Sequence, residues 1–390
     1  MPISLENARV NRPIKRSLEL KTLIVLCVFL LCGMLVAGLW PFHSPRNSVK
    51  RLANANGLSF AHYGTVLSTG LLKLPSSPVE GSCSLEIWLQ PSRSHDKSTI
   101  LAFYRPENTP QFSLHQSDTY LALFSGYPTG VIHPEAAGVA YVGEPFRDRK
   151  LHFIAIASSG GGSRIYVDGV LAKNAPGFRL SPLDCTGELV LGTSPVDEDS
   201  WSGQLRGLAI YNQELTPDQV TRHFITWTAQ GRPEIGSGER VLALYFFDEH
   251  QGPTIRDYSG SGSDLYIPER FVIFREKFLE PPWQEFDTSW SYCKSVIINI
   301  GGFIPFGFFL CAYLSMAGFT GRPVALTIIL GTTVSLTIEV LQAYLPTRNS
   351  GITDLITNTL GTALGVWLYR LANLRFGPAP KEASGVSMWG

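Results

Sequence analysis

Four apolar stretches, in which charged side chains are rare, limit the fold of this chain more than any other feature. They cover residues 22–40, 296–317, 324–345 and 353–370. A helix needs about 20 residues to cross the ~30 Å hydrocarbon core of a bilayer, and all four stretches approach that length. Charged residues are instead spread through 43–292. The sequence therefore predicts four transmembrane helices, interrupted after the first by a long polar insert.

The basic residues around these stretches predict an orientation. Arg and Lys are concentrated just before the first stretch, and such flanks stay on the cytoplasmic side. We expect cytoplasmic termini at 1–21 and 371–390, an insert outside the membrane, and a multi-pass protein of the cell (inner or cytoplasmic) membrane. A cleaved signal peptide is the alternative, but Ala37-Gly38-Leu39 is a poor cleavage site and the stretch is long for such a peptide.

Composition excludes one class of partner. Only 16% of the residues are charged and the formal net charge is zero, whereas soluble domains carry about 25% charged residues. Nucleic-acid-binding proteins need a basic patch or stripe, and the chain has no such run. We expect no nucleic-acid partner, and the lipid bilayer is the first partner that the sequence predicts.

The insert has the pattern of a β-sandwich. After a linker at 41–56, residues 57–268 contain many short runs of β-branched and aromatic residues, separated by Gly and Pro. Such regular short strands with turn signals predict an antiparallel sandwich. One helix is indicated, with Thr216 as its cap and Pro217 at its first position. Its apolar face would consist of Val220, Phe224 and Trp227.

Five segments of the insert also carry a family resemblance. They read SLEIWLQP, KLHFIAIASSGGGSRIYVDGVLA, ELVLGTSP, WSGQLRGLAIYNQELTPDQV and LALYFFDEHQGPTIRDYSGSGSDL. They resemble the concanavalin A-like jelly rolls of the laminin-G (LamG) type, which often bind glycans, sometimes through calcium. Arg206 stands near a position where relatives often have an acidic residue, so the resemblance does not imply calcium binding at this strand. The predicted fold class is mixed: an all-β jelly-roll sandwich inserted into a four-helix transmembrane domain.

An acidic triplet is the candidate ligand site of the insert: Asp197, Glu198 and Asp199. Consecutive side chains of a strand point to opposite faces, so three adjacent carboxylates fit a loop better. The triplet is either a solvated turn or a site for a glycan or a cation, with calcium as the candidate cofactor. No strand carries the paired carboxylates that a glycosidase needs, and we expect His152, at a strand start, to be structural.

Two of the six cysteines, Cys83 and Cys185, lie in the insert. An oxidising compartment outside the membrane would allow them to form a disulfide. The chain has no C-x-x-C motif and no Cys/His spacing typical of a metal site. A bridge between these two residues and a pair of free thiols both remain open, because sequence gives no geometry.

Residues 269–292 connect the insert to the second apolar stretch. Phe271, Phe274 and Phe278 recur at helical spacing, which predicts an amphipathic helix. This helix would lie either in the headgroup region of the membrane or packed under the sandwich. Aromatic residues suited to anchor the chain at the membrane interface are Trp283, Trp290 and Tyr292.

Glycines at two places predict close helix packing within the membrane. Gly301 and Gly302 lie in the second apolar stretch, and Gly361 and Gly365 form a G-x-x-x-G pair in the fourth. Small residues of this kind let two helix backbones approach closely.

Six polar residues are predicted to meet near the outer ends of the membrane helices. They are Asn299, Glu339, Gln342, Arg348, Asp354 and Asn358. A carboxylate costs about 2.5 kcal/mol or more at the bilayer centre, so it normally faces a partner or water. Glu339 and Gln342 share a helix face, as do Asp354 and Asn358. These positions predict one mutually satisfied polar cluster, in which Arg348 pairs with Glu339 or Asp354.

The same residues carry a second resemblance. NIGGFIPFGFFL at 299–310 and IEVLQAYLPTRNSGITDLITNTLGTALG at 338–365 contain, in order, N…F-x-P-x-G, E-x-x-Q, R and D-x-x-x-N-x-x-G. They resemble the VanZ-like membrane family, over the first stretch and about 269–372. The founding member is linked to resistance to the glycopeptide antibiotic teicoplanin, which implies a role in the cell envelope. The matching positions are Asn299, Pro305, Gly307, Glu339, Gln342, Arg348, Asp354, Asn358 and Gly361.

Three functions fit this sequence. We favour a bacterial envelope protein whose sandwich binds cell-wall glycan and whose membrane part offers a polar pocket to a lipid or lipid-linked envelope precursor. The second is a membrane enzyme in which Glu339 and Asp354 act on such a precursor as acid and base. No nucleophile–base pair or metal set is legible, so we lean against an enzyme. The third is a purely structural anchor with a spacer.

Overall fold

The computed structural model describes residues 4–72, 81–105, 108–126, 138–196, 199–274, 278–286, 290–319, 322–345, 347–348 and 350–376. The chain divides into two compact units. The helical unit comprises Met1–His43 and Lys277–Gly390, and the sandwich unit comprises Ser44–Glu276. The sandwich unit is thus an insertion in the chain of the helical unit.

Sixteen strands are formed by the described residues, all of them in the sandwich unit. In chain order they are β1 (Lys50–Arg51), β2 (Leu58–Phe60), β3 (Val66–Ser68), β4 (Cys83–Pro91), β5 (Asp96–Arg105), β6 (Asn108–Asp118), β7 (Tyr120–Ser125), β8 (Val139–Val142), β9 (His152–Ser159), β10 (Gly162–Val167), β11 (Val170–Ala175), β12 (Glu188–Leu191), β13 (Gly203–Tyr211), β14 (Val241–Tyr245), β15 (Thr254–Ile255) and β16 (Leu265–Tyr266).

These strands form two antiparallel sheets. The first sheet has the order β1-β2-β13-β4-β9-β10-β11, with β14 paired to β13, and the second has the order β15-β16-β3-β12-β5-β6-β7-β8. Asp168 and Gly169 connect β10 to β11 with φ angles of 51° and 77°, the left-handed conformation that a tight two-residue hairpin requires. The predicted antiparallel sandwich is confirmed.

The central strands of the first sheet, such as β4 and β9, are buried on both faces. Ile154 and Ile156 of β9 point into the main core, while Phe153 and Ala155 contribute to a second apolar cluster with a helix. This alternation follows from the period of two along a strand. The central part of this sheet therefore packs between two apolar layers, which explains why the sequences of its central strands are nearly continuous apolar runs.

Helices are found in both units. They are α1 (Ser4–Leu39), α2 (Pro217–Gln230), α3 (Pro282–Glu285), α4 (Trp290–Met316), α5 (Pro323–Gln342) and α6 (Ile352–Phe376).

Helix α2 covers the outer face of the first sheet. Its start is fixed by a capping box, in which Thr216 accepts from the Gln219 N–H and the Gln219 side chain accepts from the Thr216 N–H. Val220 and Trp227 are buried against the sheet, and Phe224 packs against them. The predicted cap and apolar face are confirmed.

The connecting segment differs from its prediction. The described residues of 269–279 form no helix. Phe271 is buried and packs on Tyr63, and Phe274 stacks on Tyr104 with ring centroids 5.3 Å apart. The helical spacing of these rings was misleading, because extended chain can also place successive aromatic residues on a nearby sheet.

Among the described residues, three helices are long and apolar enough to cross a membrane: Arg16–Leu39, Tyr292–Met316 and Pro323–Gln342. They correspond to the first three predicted spans. The fourth predicted span lies in α6, which is 25 residues long but is not one of these three. Its low apolarity has a simple cause, since polar side chains such as Thr353, Asn358 and Thr362 are frequent along it.

Helices α4 and α6 pack through small residues. A Cβ at Gly361 would lie 2.3 Å from the Ile300 carbonyl oxygen, and one at Gly365 would lie 2.2 Å from that of Ile304. These two glycines therefore allow close approach, as predicted. The prediction for Gly301 and Gly302 is wrong for the described chain, in which no other segment has an atom within 4 Å of a Cβ at either position.

Candidate functional site

The buried face of α5 is polar, whereas its exposed residues include many apolar ones. Thr327, Gly331, Ser335 and Glu339 follow one another at four-residue spacing and are all buried. Such a polar inner stripe with an apolar outer surface suits a helix in lipid, because lipid-facing positions must be apolar. Glu339, only 1% exposed, lies at the end of this stripe.

Glu339 contacts the backbone at the start of α6. Its Oε2 atom accepts a hydrogen bond from the Gly351 N–H at 2.9 Å. Gly351 directly precedes the first helical residue, Ile352, and the first N–H groups of a helix have no partner within the helix. The carboxylate therefore satisfies a backbone donor that would otherwise be buried without a partner.

Asp354 lies two residues after Ile352, in the first turn of α6, and is held by a second helix. Asn299 of α4 donates from Nδ2 to Asp354 Oδ1 at 2.7 Å. A carboxylate in the first turn of a helix is also stabilised by the positive end of the helix dipole. The structure thus brings three of the predicted residues, Asn299, Glu339 and Asp354, to the start of α6.

Two buried amides each lie about one helical turn after one of these carboxylates. Asn358, one turn after Asp354, donates to Ser335 Oγ at 3.0 Å, and Gln342 donates to the Gly38 carbonyl oxygen at 2.9 Å. Their Oδ1 and Oε1 atoms accept no hydrogen bond from any part of the chain that the structure describes. The amides therefore tie the helices together and leave acceptor oxygens unused.

Arg348 has a different partner from the one predicted. Its Nε donates to the Trp40 carbonyl oxygen at 3.1 Å, and its Nη2 contacts the same oxygen. Trp40 directly follows α1, where the last carbonyl groups lack helical partners and carry partial negative charge. The guanidinium caps α1 instead of neutralising Glu339 or Asp354.

Glu285 is a member of this site that sequence reasoning missed. Its Oε2 accepts from the Thr353 N–H at 2.9 Å, and a Cβ at Gly351 would overlap its Oε1. The adjacent chain is fixed by hydrogen bonds from Glu280 N–H to Ser350 O and from Ile352 N–H to Glu280 O. In the sequence, Glu285 is one of several acids between 276 and 287, and nothing distinguishes it.

Three carboxylates therefore surround the start of α6, which we call the α6 cluster: Glu285, Glu339 and Asp354. Glu339 experiences the negative charges of the other two, and Asp354 that of Glu285. No ion pair joins them to Lys, Arg or His within the described ranges. Backbone N–H groups, one amide and the helix dipole hold these charges instead.

Of the acidic triplet in the sandwich unit, the structure describes Asp199. Asp197 and Glu198 lie outside the described residues. Asp199 accepts from the Thr99 hydroxyl at 2.8 Å and from the Ser194 N–H at 2.7 Å. Within the described residues, no group of three or more His, Cys, Asp or Glu side chains is arranged to hold a metal ion. Asp199 therefore has a structural role in its loop, and a calcium or glycan site there stays a prediction.

His152 bridges two carboxylates at one end of β9. Its Nδ1 lies 2.8 Å from Asp168 Oδ2, and its Nε2 lies 3.0 Å from Asp148 Oδ1. The hydrogen bond to Asp168 is the main reason that the pKa of His152 is raised. Asp168 also accepts from the Phe153 N–H at 2.9 Å. These contacts fix the β10–β11 hairpin onto β9 and agree with the structural role predicted for His152.

A fully buried histidine that sequence reasoning missed lies under α2. His223 Nδ1 is 2.8 Å from Glu86 Oε1, and its Nε2 is 2.9 Å from Glu239 Oε2. Tyr211 donates to Glu86 at 2.8 Å, and Arg222 contacts Glu239. We call this set the His223 cluster. A buried charge needs a partner. The signal in the sequence that could have predicted this cluster is Glu86, a charged residue near the centre of the apolar strand β4.

Two family models match this chain. Residues 241–373 match VanZ/LLP1, and residues 67–221 match the concanavalin A-like lectin/glucanases superfamily. Protein VanZ of Enterococcus faecium is 39% identical over 86 residues, which cover 22% of this chain. The match spans 50% of that relative's length. Both resemblances stated from the sequence are therefore confirmed.

Solved structures give weaker similarities. A proposed carbohydrate binding protein from Bacteroides ovatus has 14% identity and a TM-score of 0.39, over 56% of this chain and 61% of that one. The binding domain of botulinum neurotoxin DC, solved in complex with rat synaptotagmin II, has 13% identity and a TM-score of 0.33, over 46% of each chain. Values this low carry no argument about function.

Proposed function

We propose that this chain, which joins a VanZ-like segment to a concanavalin A-like domain, is a membrane-anchored protein of the cell envelope. The sandwich unit lies outside the membrane and binds cell-wall glycan. The helical unit presents the α6 cluster to a lipid-linked envelope precursor, and α6 acts as a fourth membrane helix. The observation that carries this proposal is the gathering of the carboxylates Glu285, Glu339 and Asp354 at the start of α6, where no described Lys, Arg or His side chain forms an ion pair with them.

Exposed aromatic residues support an interface near this cluster. Trp283 is 80% exposed and Trp290 is 76% exposed, and Trp40 and Tyr344 are also exposed. They lie at the end of α1, around the start of α4 and just after α5. Trp and Tyr concentrate where a membrane meets water. These side chains therefore favour a position of the cluster just below the membrane surface.

Most basic residues of the helical unit favour the same arrangement. Arg16 and Lys21 lie in the first half of α1, Arg322 precedes α5, and Arg370 and Arg375 lie in the last turns of α6. If successive membrane helices run in opposite directions, all of these residues lie at the helix ends away from the α6 cluster. Basic residues remain on the cytoplasmic side, so the cluster and the sandwich unit would face outward.

The atoms of the site point to the chemistry of its ligand. The carboxylates, together with Asn358 Oδ1 and Gln342 Oε1, are hydrogen-bond acceptors. A ligand that supplies hydroxyl or ammonium donors would complement them, as the head group of a lipid-linked precursor does. An anionic group alone would be repelled by Glu339 and Asp354.

Substitutions in cells test the membrane site. Glu339→Gln keeps the size of the side chain and removes its charge, and Arg348→Ala removes the cap of α1. We expect Glu339→Gln to increase susceptibility to a glycopeptide antibiotic at unchanged protein level, and Thr333→Ala, on the exposed face of α5, to have no effect. Unchanged fold and unchanged envelope phenotype in both Glu339→Gln and Arg348→Ala would overturn the proposal. Turnover of a precursor by the purified protein, lost in Glu339→Gln, would instead show that the helical unit is an enzyme that acts on the precursor.

An open depression on the sandwich unit is our candidate for the glycan surface. It has a volume of about 370 Å³ and is lined by polar groups that include Asn47, His250 and Gln251. His250 and Gln251 are exposed, and side chains of this kind can bond to sugar hydroxyls. The depression therefore offers several hydrogen-bonding groups at one place on the surface.

Glycan binding is tested with the full-length protein in nanodiscs. We expect saturable binding to isolated cell wall or to a glycan on a panel, competed by free sugar. Binding should weaken at least tenfold in His250→Ala and Gln251→Ala, and should be unchanged in Thr221→Ala on the exposed side of α2. Absence of binding, with calcium and with chelator, would leave the sandwich unit as a spacer.

A further inference from the structure

We infer that Cys83 and Cys185 form a disulfide that joins the two sheets of the sandwich unit. Cys83 begins β4 in the first sheet, and Cys185 lies three residues before β12 in the second. Their Sγ atoms are 3.1 Å apart, and the side chains are 0% and 1% exposed. A disulfide bond is about 2.05 Å long, so a small movement of the side chains closes it.

The two sulfur atoms are placed by segments that are fixed independently. Cys83 pairs in register with Ser158 of β9. Cys185 lies in a turn in which its own N–H donates to the Pro182 carbonyl at 3.2 Å and the Asp184 carboxylate accepts from the Ser181 N–H at 2.8 Å. The two cysteines are 102 positions apart in the chain. Their proximity is therefore a product of the complete sandwich and not of local sequence.

The surroundings of the pair favour a bond that forms during folding. Burial, and then the neighbouring Cys83, raise the pKa of the Cys185 thiol well above its usual value. The thiolate is the reactive form of cysteine, so the folded thiol reacts poorly. Oxidation therefore takes place while the sulfurs are still accessible, and the finished bond is then protected inside the core.

The reaction is a thiol–disulfide exchange. One cysteine thiolate attacks a disulfide of an oxidising protein outside the cytoplasm and forms a mixed disulfide. The second cysteine thiolate attacks that mixed disulfide and forms the Cys83–Cys185 bond. The two cysteines lose two protons and two electrons, and the oxidising protein is reduced to its dithiol. This step requires an oxidising compartment, a placement that the inference shares with the proposed function.

Differential alkylation of the full-length protein tests the inference. Membranes from acid-quenched cells are denatured and treated with iodoacetamide, then reduced and treated with N-ethylmaleimide, and the peptides are identified by mass spectrometry. We expect N-ethylmaleimide on Cys83 and Cys185, a linked peptide in the unreduced digest, and iodoacetamide on the four cysteines of the helical unit. In Cys83→Ser, Cys185 should carry iodoacetamide. Iodoacetamide on both Cys83 and Cys185 of the unaltered protein would overturn the bridge.

A second label separates this inference from the placement of the sandwich unit. Val170, at the start of β11, is 70% exposed. Val170→Cys, in a chain whose cysteines of the helical unit are replaced by Ser, should react with a membrane-impermeant maleimide on intact cells. Labelled Cys at 170 with reduced Cys83 and Cys185 would overturn the bridge alone. Labelling only after permeabilisation would overturn the outward placement, and with it the proposed function.

Reduction should also destabilise the sandwich unit. A bond that closes a loop of this length constrains the unfolded chain, so its loss should raise the ratio of unfolded to folded protein by about 100-fold or more. Thermal unfolding of the purified protein with and without reductant measures this change. In Cys83→Ser/Cys185→Ser the reductant should have no effect. Equal unfolding of the unaltered protein in both conditions would contradict the inference.

Discussion

The two buried carboxylate clusters of this molecule differ in the groups that face their carboxylates. In the His223 cluster, Glu86 and Glu239 contact His223 and Arg222, so two carboxylates meet two groups that can carry positive charge. In the α6 cluster, backbone N–H groups and Asn299 take the place of cations. A balanced cluster is complete in itself and holds the fold together. The α6 cluster, whose carboxylates pair with no described cation, keeps carboxylate oxygens that a ligand can use.

The largest effect should follow from removing the central ring of the balanced cluster. His223→Leu roughly preserves volume but leaves Glu86 and Glu239 buried without their shared partner. Breaking a buried charge pair from one side costs about 3–5 kcal/mol. Chemical unfolding of the full-length protein, followed by the fluorescence of the sandwich unit, measures the loss. Thr221→Ala on the same helix is the control, and a loss as small as that of the control would mean that the cluster is not a charge network.

A smaller effect should follow from displacing Glu285 in the α6 cluster. The side chain of Gly351→Ala would overlap Glu285 Oε1, so the carboxylate must leave the Thr353 N–H. Loss of a side-chain cap at a helix start costs about 1 kcal/mol. Unfolding of the helical unit by a denaturing detergent should show this loss. Gly301→Ala, where the new side chain would have no atom of another described segment within 4 Å, should not show it.

The stability of the sandwich unit should fall as the pH rises, because the pKa of His223 is raised in the folded state. Burial alone would lower the pKa of His223, but its hydrogen bonds and charge interactions with Glu86 and Glu239 outweigh burial and raise that pKa. A raised pKa stabilises the fold fully below the unfolded value of about 6.5 and loses this effect as pH rises through the folded value. We therefore expect lower stability at pH 9 than at pH 6.

His223→Leu should flatten this dependence. His152, whose pKa is also raised, contributes with the same sign, so the comparison is made in a His152→Asn background. A free energy of unfolding that rises from pH 6 to pH 9 in that background would contradict the charged state of His223.

The smallest effect on stability should come from removing a charge of the α6 cluster. Glu339→Gln can still accept from the Gly351 N–H through its amide oxygen, and none of the described cations loses a partner. We expect its unfolding free energy to change by less than about 1 kcal/mol, because the substitution keeps the hydrogen bond and lowers the repulsion. Detergent-induced unfolding measures it, with Thr333→Ala as the control. A loss of about 3 kcal/mol or more would show that the charge has an unseen partner and that the comparison is wrong.

Much of the site could be predicted because its residues stand out against their surroundings. Glu339 and Asp354 are carboxylates at the ends of apolar stretches, and Asn299, Glu339 and Asp354 all lie within residues 241–373, which match VanZ/LLP1. Glu285 could not be predicted, because it lies in a polar segment where acids are ordinary. The partner of Arg348 could not be predicted either, since a guanidinium can bind a free carbonyl as well as a carboxylate.

The sequence by itself determined the periodic and compositional features of this protein. Apolar stretches, alternating strands, the α2 cap and the glycine pair Gly361 and Gly365 all follow from the order of neighbouring residues, and local physics is enough to read them. The tertiary structure alone decided which distant groups meet: Glu86 with His223, Glu285 with Thr353, and Cys83 with Cys185. Each of these contacts joins segments more than 60 positions apart in the chain. Their positions depend on how whole sheets and helices pack, and no local pattern contains that information.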